Sequence, residues 1–345
     1  MTSFLKDGRS RPVALWLFSV AVLVFVLVVV GGVTRLTGSG LSITEWRPVT
    51  GVAPPLSPAA WRKAFDLYRA TPQYRHVNVG MSLGAFQAIY WWEWTHRLLA
   101  RLVGVAFAVP MLIFLATRSL PGRLIWRCVM LLGLGGLQAF VGWWMVQSGL
   151  EDRVSVAPER LATHLALALF VFCALLWTGM EAWSGLARQR AKLHDGWRAV
   201  TIAFAAAVFL QCMLGALVAG NHAGLVDNDW PLMNGQLFPS DYAGQSFWAT
   251  IAHSQAAEQF NHRILAYLLV IVGVGIASAG LQSRDLMGQS RGLCLALGVI
   301  VVVQASMGIL TLVTGAPLAL AMAHQAGAAI LLATATALAW RVRRA

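Results

Sequence analysis

The sequence predicts an all-α integral membrane protein whose eight transmembrane helices form two pseudo-symmetric four-helix bundles, and three observations lead there. The 345 residues are 58% hydrophobic and only 12% charged, with a mean hydropathy of +0.66, outside the range of soluble domains. Runs near the roughly 20 apolar residues that cross a hydrocarbon core lie at 13–33, 94–116, 125–146, 161–183, 199–219, 262–281, 292–313 and 318–340. The chain is also written twice, with four runs in each copy.

The first run is too long, and lacks the small-residue cleavage pattern, to read as a removable signal peptide, so it is expected to stay as a span. Lys and Arg then set the orientation. With the N-terminus inside, one face collects 15 Lys and Arg, from Lys6, Arg9 and Arg11 to Arg341, Arg343 and Arg344, against Asp7, Glu181, Asp195 and Asp285. The loop from about 220 to 257 on the other face has three Asp and no Lys or Arg. Both termini are therefore expected to be cytoplasmic. This asymmetry and anionic lipid headgroups account for the net charge of +12, leaving no reason to invoke nucleic acid. Cys128, Cys173, Cys212 and Cys294 fall inside or at the ends of spans without C-x-x-C spacing, as small buried residues do.

The repeat gives the domain organisation. "GLSITEWRPVTGVAPP" after the first span matches "GLVDNDWPLMNGQLFP" after the fifth, pairing Gly40 with Gly224, Leu41 with Leu225 and Trp46 with Trp230 at an offset of 184. The first outer loop runs 18 residues longer, and beyond it the offset of 166 pairs His96 with His262, Arg97 with Arg263 and Gln138 with Gln304. His164 meets His324 at an offset of 160. An even number of spans per copy starts both copies from the same side, which implies an axis along the membrane normal. An N-terminal bundle over 1–190, with a long outer loop at 34–92, and a C-terminal bundle over 191–345 follow.

A strongly polar group inside a bilayer costs about 2.5 to 3.5 kcal/mol on insertion scales for charged types. A lone intramembrane His is commonly a hydrogen-bonded packing residue, but His96, His164, His262 and His324 stand two per copy, on corresponding spans and at matched depth. Two His on facing helices suit a haem between them, one imidazole on each face of the iron. Zinc suits them less, because it wants further ligands, and at this depth the two copies share no other candidates than the acids before the second and sixth spans. Arg97, Arg101 and Arg263 are candidates for the haem propionates or for snorkelling to lipid phosphate. Trp91, Trp92 and Trp94 read as an interfacial belt, with porphyrin stacking as the alternative. His76, His222 and His253 in outer loops, and His194 in an inner one, read as solvated.

The copies differ where chemistry can sit. Glu93 stands three residues before His96, whereas the second copy has Gln259 there and Glu258 one position further back. Spacings of three and four both place the acid on the His face. Glu93 suits proton transfer at the edge of a haem, or a structural pair with Arg97 or Arg101. In the enlarged loop, 47–90, the run from Ser57 to Tyr74 carries Trp61, Phe65 and Tyr68 at helical spacing with Arg62, Lys63 and Arg69 between. An amphipathic helix on the outer surface is expected, capping the loop or shaping the haem site.

"EWTHR" heading the second span, "GGVTRLTGSGLSITEW" closing the first, "FNHR" in the sixth, "THLALAL" in the fourth and "AHQAGA" in the eighth resemble the haem A synthase family across nearly the whole chain. The resemblance is closest to its proteobacterial and mitochondrial branch, since other members carry cysteine pairs in outer loops. It implies an oxidoreductase that converts haem O to haem A for cytochrome oxidase, oxidising the C8 methyl through an alcohol and a geminal diol to a formyl group. It further implies haem b, with its iron, on His262 and His324, substrate haem on His96 and His164, and Glu93 as the acid assisting proton removal. A multi-pass protein of the bacterial inner membrane is expected, haem sites toward the periplasm, with haem O synthase and cytochrome oxidase assembly factors as partners. Spans, repeats and histidines alone equally suit a dihaem b-type electron carrier to or from quinone, or a haem transporter or chaperone.

Overall fold

A computed structural model of the protein describes residues 9–47, 50–185, 195–239, 242, 246, 250, 253–286 and 288–343. His194, Asp241 and the charges Lys6, Asp7, Arg188, Arg190, Lys192 and Arg344 lie outside the described residues. In chain order the helices are α1 (Arg11–Leu36), α2 (Pro58–Arg69), α3 (Pro72–His76), α4 (Leu83–Ala116), α5 (Gly122–Glu151), α6 (Pro158–Ser184), α7 (Asp195–Gly220), α8 (Gln255–Gln282), α9 (Gln289–Val313) and α10 (Leu318–Val342). All but α2 and α3 are long and apolar enough to cross a membrane, which makes eight candidate spans. Helices satisfy every backbone donor and acceptor within the segment, and hydrocarbon offers no other partner.

Two spans begin earlier than the apolar runs suggest. Ser82 caps α4, its hydroxyl accepting from the Ala85 N–H, and Ser254 caps α8 through the Ala257 N–H. At 1.5 Å per residue the 34 residues of α4 make a rod about 51 Å long, well beyond a core of about 30 Å. Its first turns carry Phe86 and Tyr90, buried under Trp61, Phe65 and Tyr68 of α2. The expected amphipathic helix is therefore present but broken. Pro72 cannot extend α2, so the chain turns at Thr71, whose hydroxyl caps α3. Gln73 of α3 donates to the Gly38 carbonyl at 3.0 Å and ties this cap to the end of α1.

Among the long helices, α1 packs on α4 and α6, α5 on α6, α7 on α8 and α10, and α9 on α8 and α10. Contacts of α6 with α7 and of α10 with α1 and α6 join the two sets. Lipid tails are as apolar as leucine, so close packing rather than water exclusion drives these crossings. At Gly179 a Cβ would lie 2.6 Å from the Phe18 ring, and at Gly298 2.5 Å from Ala277, distances that admit no side chain. The α8–α9 crossing is built on such small residues. Phe107 and Met111 of α4, which match Gly273 and Ala277 of α8, are instead buried with Trp16 of α1, and α4 meets α5 far less intimately.

Polar clamps complete the packing. Arg35, at the end of α1, donates to the Ala219 and Gly220 carbonyls at 2.9 and 3.0 Å, satisfying the terminus of α7. Gln325 of α10 donates to the Val28 carbonyl of α1 at 2.8 Å. Glu181 of α6, 0% exposed, pairs with Arg127 of α5 and, at 3.2 Å, with Arg343 at the end of α10. Glu181→Ala removes the acceptor for both guanidiniums and is expected to lower stability by about 1–3 kcal/mol. Thermal unfolding in detergent measures it, and an unchanged midpoint would contradict the clamp.

Candidate functional site

Helices α4, α6, α8 and α10 carry His96, His164, His262 and His324, each half-buried. Every one of these imidazoles presses its Cε1 edge against a glycine of a neighbouring helix. A Cβ would stand 2.9 Å from the ring at Gly31 of α1 and at Gly142 of α5, 3.1 Å at Gly215 of α7 and 2.8 Å at Gly308 of α9. The glycines pair at the offsets of the repeat, Gly31 with Gly215 at 184 and Gly142 with Gly308 at 166.

The His262 and His324 ring centres are 6.5 Å apart with planes at 80°. With metal–imidazole bonds of about 2 Å, two rings on opposite sides of one ion have centres roughly 6 Å apart. The spacing therefore fits one iron between them. The Nδ1 of His262 is buried without a hydrogen-bond partner, as in a ring positioned for something other than protein. His96 on α4 and His164 on α6 occupy the positions that correspond to His262 on α8 and His324 on α10. Among the described residues no group of three or more His, Cys, Asp or Glu gathers to hold a metal ion. The donor set on offer is a pair of imidazoles, which suits haem and not zinc.

Glutamine amides hold three of the four rings. Gln138 of α5 donates to the His164 carbonyl at 3.1 Å with its amide nitrogen 3.2 Å from Nδ1. Gln304 of α9 donates to the His324 carbonyl at 2.8 Å and lies 3.0 Å from its Nδ1. Gln211 of α7 donates to the His262 carbonyl at 2.9 Å and lies 3.3 Å from Nε2.

Above the rings, arginines grip the connecting segments. Arg97 donates to the Ile43 carbonyl at 2.8 Å and the Glu45 carbonyl at 3.1 Å, and pairs with Glu93 at 2.7 Å. Arg263 donates to the Asp227 carbonyl at 2.7 Å, the Leu232 carbonyl at 2.9 Å and Gln259 Oε1 at 2.6 Å. Ile43 and Asp227 are themselves equivalent at the offset of 184. Arg101 donates to the Arg47 carbonyl at 3.0 Å.

Glu93 is 3% exposed and saturated with donors: Ser42 Oγ at 2.7 Å and the Ile43 N–H at 2.8 Å on one oxygen, Arg97 on the other. Glu258 is 1% exposed and turned elsewhere, toward Asn221, whose amide donates to Oε1 at 2.5 Å.

Of the loop histidines, His76 and His253 are exposed, as expected. His222 is not simply solvated. It is exposed, as expected, but its Nε2 lies 3.2 Å from Arg35, and partial desolvation followed by the adjacent guanidinium pushes its pKa below the ordinary value. The sequence gave no sign of this, because the contact spans 187 residues and the two copies. All four cysteines are free thiols. Trp91 and Trp94 pack on each other, and Trp94 donates to the Val52 carbonyl at 3.0 Å. The glycine seats, Gln211 and the donors to Glu93 escaped the sequence reading. Gly31 and Gly215 share their offset with the matched loops and were visible in principle; Gln211, facing Leu27 in the other copy, was not.

Removing the carboxylate isolates its anchoring part. Glu93→Ala frees the 42–47 segment, and amide exchange at Ile43 is expected to accelerate about 5- to 150-fold, the equivalent of 1–3 kcal/mol. Glu93→Gln is expected to keep only one of the two sets of contacts, because its single Oε1 accepts either from Arg97, as Gln259 does from Arg263, or from Ser42 and Ile43, while its amide nitrogen can only donate.

Comparison with known proteins places this arrangement. Residues 14–336 match the family model described as "Cytochrome oxidase assembly protein". Proteins named heme A synthase from Caulobacter sp. (strain K31) and Caulobacter vibrioides are 60% and 57% identical over 344 residues, 100% of both chains in each case. The one from Parvibaculum lavamentivorans is 46% identical over 98% of this chain and 95% of its own. The chain belongs to the haem A synthase family of cytochrome oxidase assembly proteins.

Proposed function

We propose that this chain is a membrane oxidoreductase that converts haem O to haem A, oxidising the C8 methyl to a formyl group by way of an alcohol and a geminal diol. One observation carries the reading: imidazoles paired across helices, each on a glycine seat, in a chain matched end to end by heme A synthases. The eight spans divide at about residue 190 into two bundles related by an axis along the membrane normal, as the matched offsets of seats, histidines and arginines suggest. The Lys and Arg distribution favours cytoplasmic termini and puts the imidazoles toward the periplasmic side of the inner membrane.

In this reading His262 and His324 hold a resident haem b, a fit supported by their 6.5 Å spacing. When bound, that group supplies one-electron transfer. His96 and His164 receive haem O. Arg97, Arg101 and Arg263 stand toward the propionates while bracing the loops; carbonyl contacts leave a guanidinium's charge in place, and that of Arg97 is shared with Glu93. Glu93, the acid that the second half replaces with Gln259, takes up protons as the methyl carbon is oxidised. Ser42 and Ile43 fix its carboxylate and Arg97 offsets its charge. The haem O synthase that makes the substrate and the factors that take up the product are the expected partners.

Pigment extraction after expression with a haem O supply tests the activity. Alcohol and formyl haems are expected from the native chain, and unaltered haem throughout would point to an electron carrier or a transporter. Glu93→Gln, which keeps the size of the side chain and one acceptor oxygen, is expected to lower product at least 100-fold, within the 10²–10⁴ contributed by a positioned proton acceptor. Undiminished turnover in that variant would reduce Glu93 to an anchor. His262→Ala or His324→Ala is expected to remove the resident low-spin spectrum, whereas His96→Ala or His164→Ala keeps it and blocks turnover. The reverse pattern would invert the assignment of the two halves.

A further inference from the structure

Three imidazoles are pinned by a glutamine and one is not. Gln138 reaches the ring and carbonyl of His164, Gln211 those of His262, and Gln304 those of His324. Gln211 stands one turn before the glycine seat Gly215 on α7. One turn before the equivalent seat Gly31, on α1, stands Leu27, which has no polar atom to offer. Among the described residues no side chain hydrogen-bonds the His96 ring, and its Nδ1 is buried and unpartnered.

We propose that this difference makes His96 the releasable ligand of the first site, and that Leu27 and Gln211 are the positioning residues that separate a substrate site from a resident-cofactor site. The inference rests on the assignment of haem O to His96 and His164. The amide anchored on the histidine's own carbonyl stays beside the ring, and its Oε1, buried and unpartnered in Gln138, Gln211 and Gln304, can turn to accept the N–H that the ring carries once its other nitrogen binds iron, so such a ring is oriented for ligation and holds the metal longer. A free ring pays that ordering at each binding event. The site that exchanges its occupant every turnover needs one weak ligand. His164, held by Gln138, keeps the haem oriented while His96 lets go. The site that keeps its occupant has both rings pinned. The glycine seats are alike on all four rings, so packing does not explain the asymmetry.

Haem transfer from the purified full-length protein to excess apomyoglobin tests this, after loading with haem O in detergent. The native chain is expected to lose haem in a fast phase from the first site and a slow phase from the second. Loss of an outer-shell partner typically changes metal affinity 10- to 100-fold. Leu27→Gln is therefore expected to slow the fast phase by about that factor and to reduce its high-spin fraction in the visible spectrum. Gln211→Leu, which copies the side chain that α1 carries, is expected to accelerate the slow phase similarly and leave the fast one alone. Unchanged rates in both variants overturn the proposal, and if Leu27→Gln fails to fold, Gln211→Leu decides alone. Haem O binding that survives both His96→Ala and His164→Ala would overturn the site assignment together with this inference. Binding lost in those variants, with no response to Leu27→Gln or Gln211→Leu, overturns the inference only.

Discussion

Everything near the candidate site depends on two helices coming close enough for an imidazole of one to rest on the bare backbone of the other. Hydrocarbon gives a polar ring nothing to bond to, so its place has to be made by neighbouring protein. Gly31, Gly142, Gly215 and Gly308 provide that place four times, each on a helix adjacent to the one that carries the histidine. The spacing of His262 and His324 follows from where α7 and α9 lie against α8 and α10. The seat fixes where each ring's Cε1 edge lies, and at His164, His262 and His324 a glutamine amide adds a second hold.

The second tier of order comes from arginine. Arg97 and Arg263 each collect carbonyls of the preceding connecting segment and one acceptor from their own helix a turn earlier. That acceptor is a carboxylate in the first half and an amide in the second, yet the geometry is nearly the same. Holding the arginine therefore does not require an acid at position 93, whereas the contacts from Ser42 and Ile43 use the second acceptor oxygen that only a carboxylate has. What the acid adds is a second acceptor oxygen and an exchangeable proton, at a position where the second half carries an amide.

Much of this was legible from residue order. Apolar runs located all eight candidate spans among the described residues, because length and hydropathy are nearly sufficient in a membrane. Repeat offsets picked out His96, His164, His262 and His324. Starts of α4 and α8 were misjudged by 11 and 7 residues, since their first turns are held by Ser82 and Ser254 caps and by aromatic packing, neither of which shows in a hydropathy window. The Arg35–His222 contact and the amide on His262 were out of reach, because partners brought together by folding leave no local pattern. Gln211 was especially hidden, being a departure from the repeat where the repeat was the guide.

Arg35, Gln325 and Arg343 each cross from one half of the chain to the other, the first near the ends of α1 and α7, the second within α1 and α10, the third where α6 and α10 finish. Ties at three levels resist both hinging and sliding. The two halves are thereby held at one spacing by contacts made near both ends and within the length of the long helices, so neither can move as a rigid body without breaking these polar bonds.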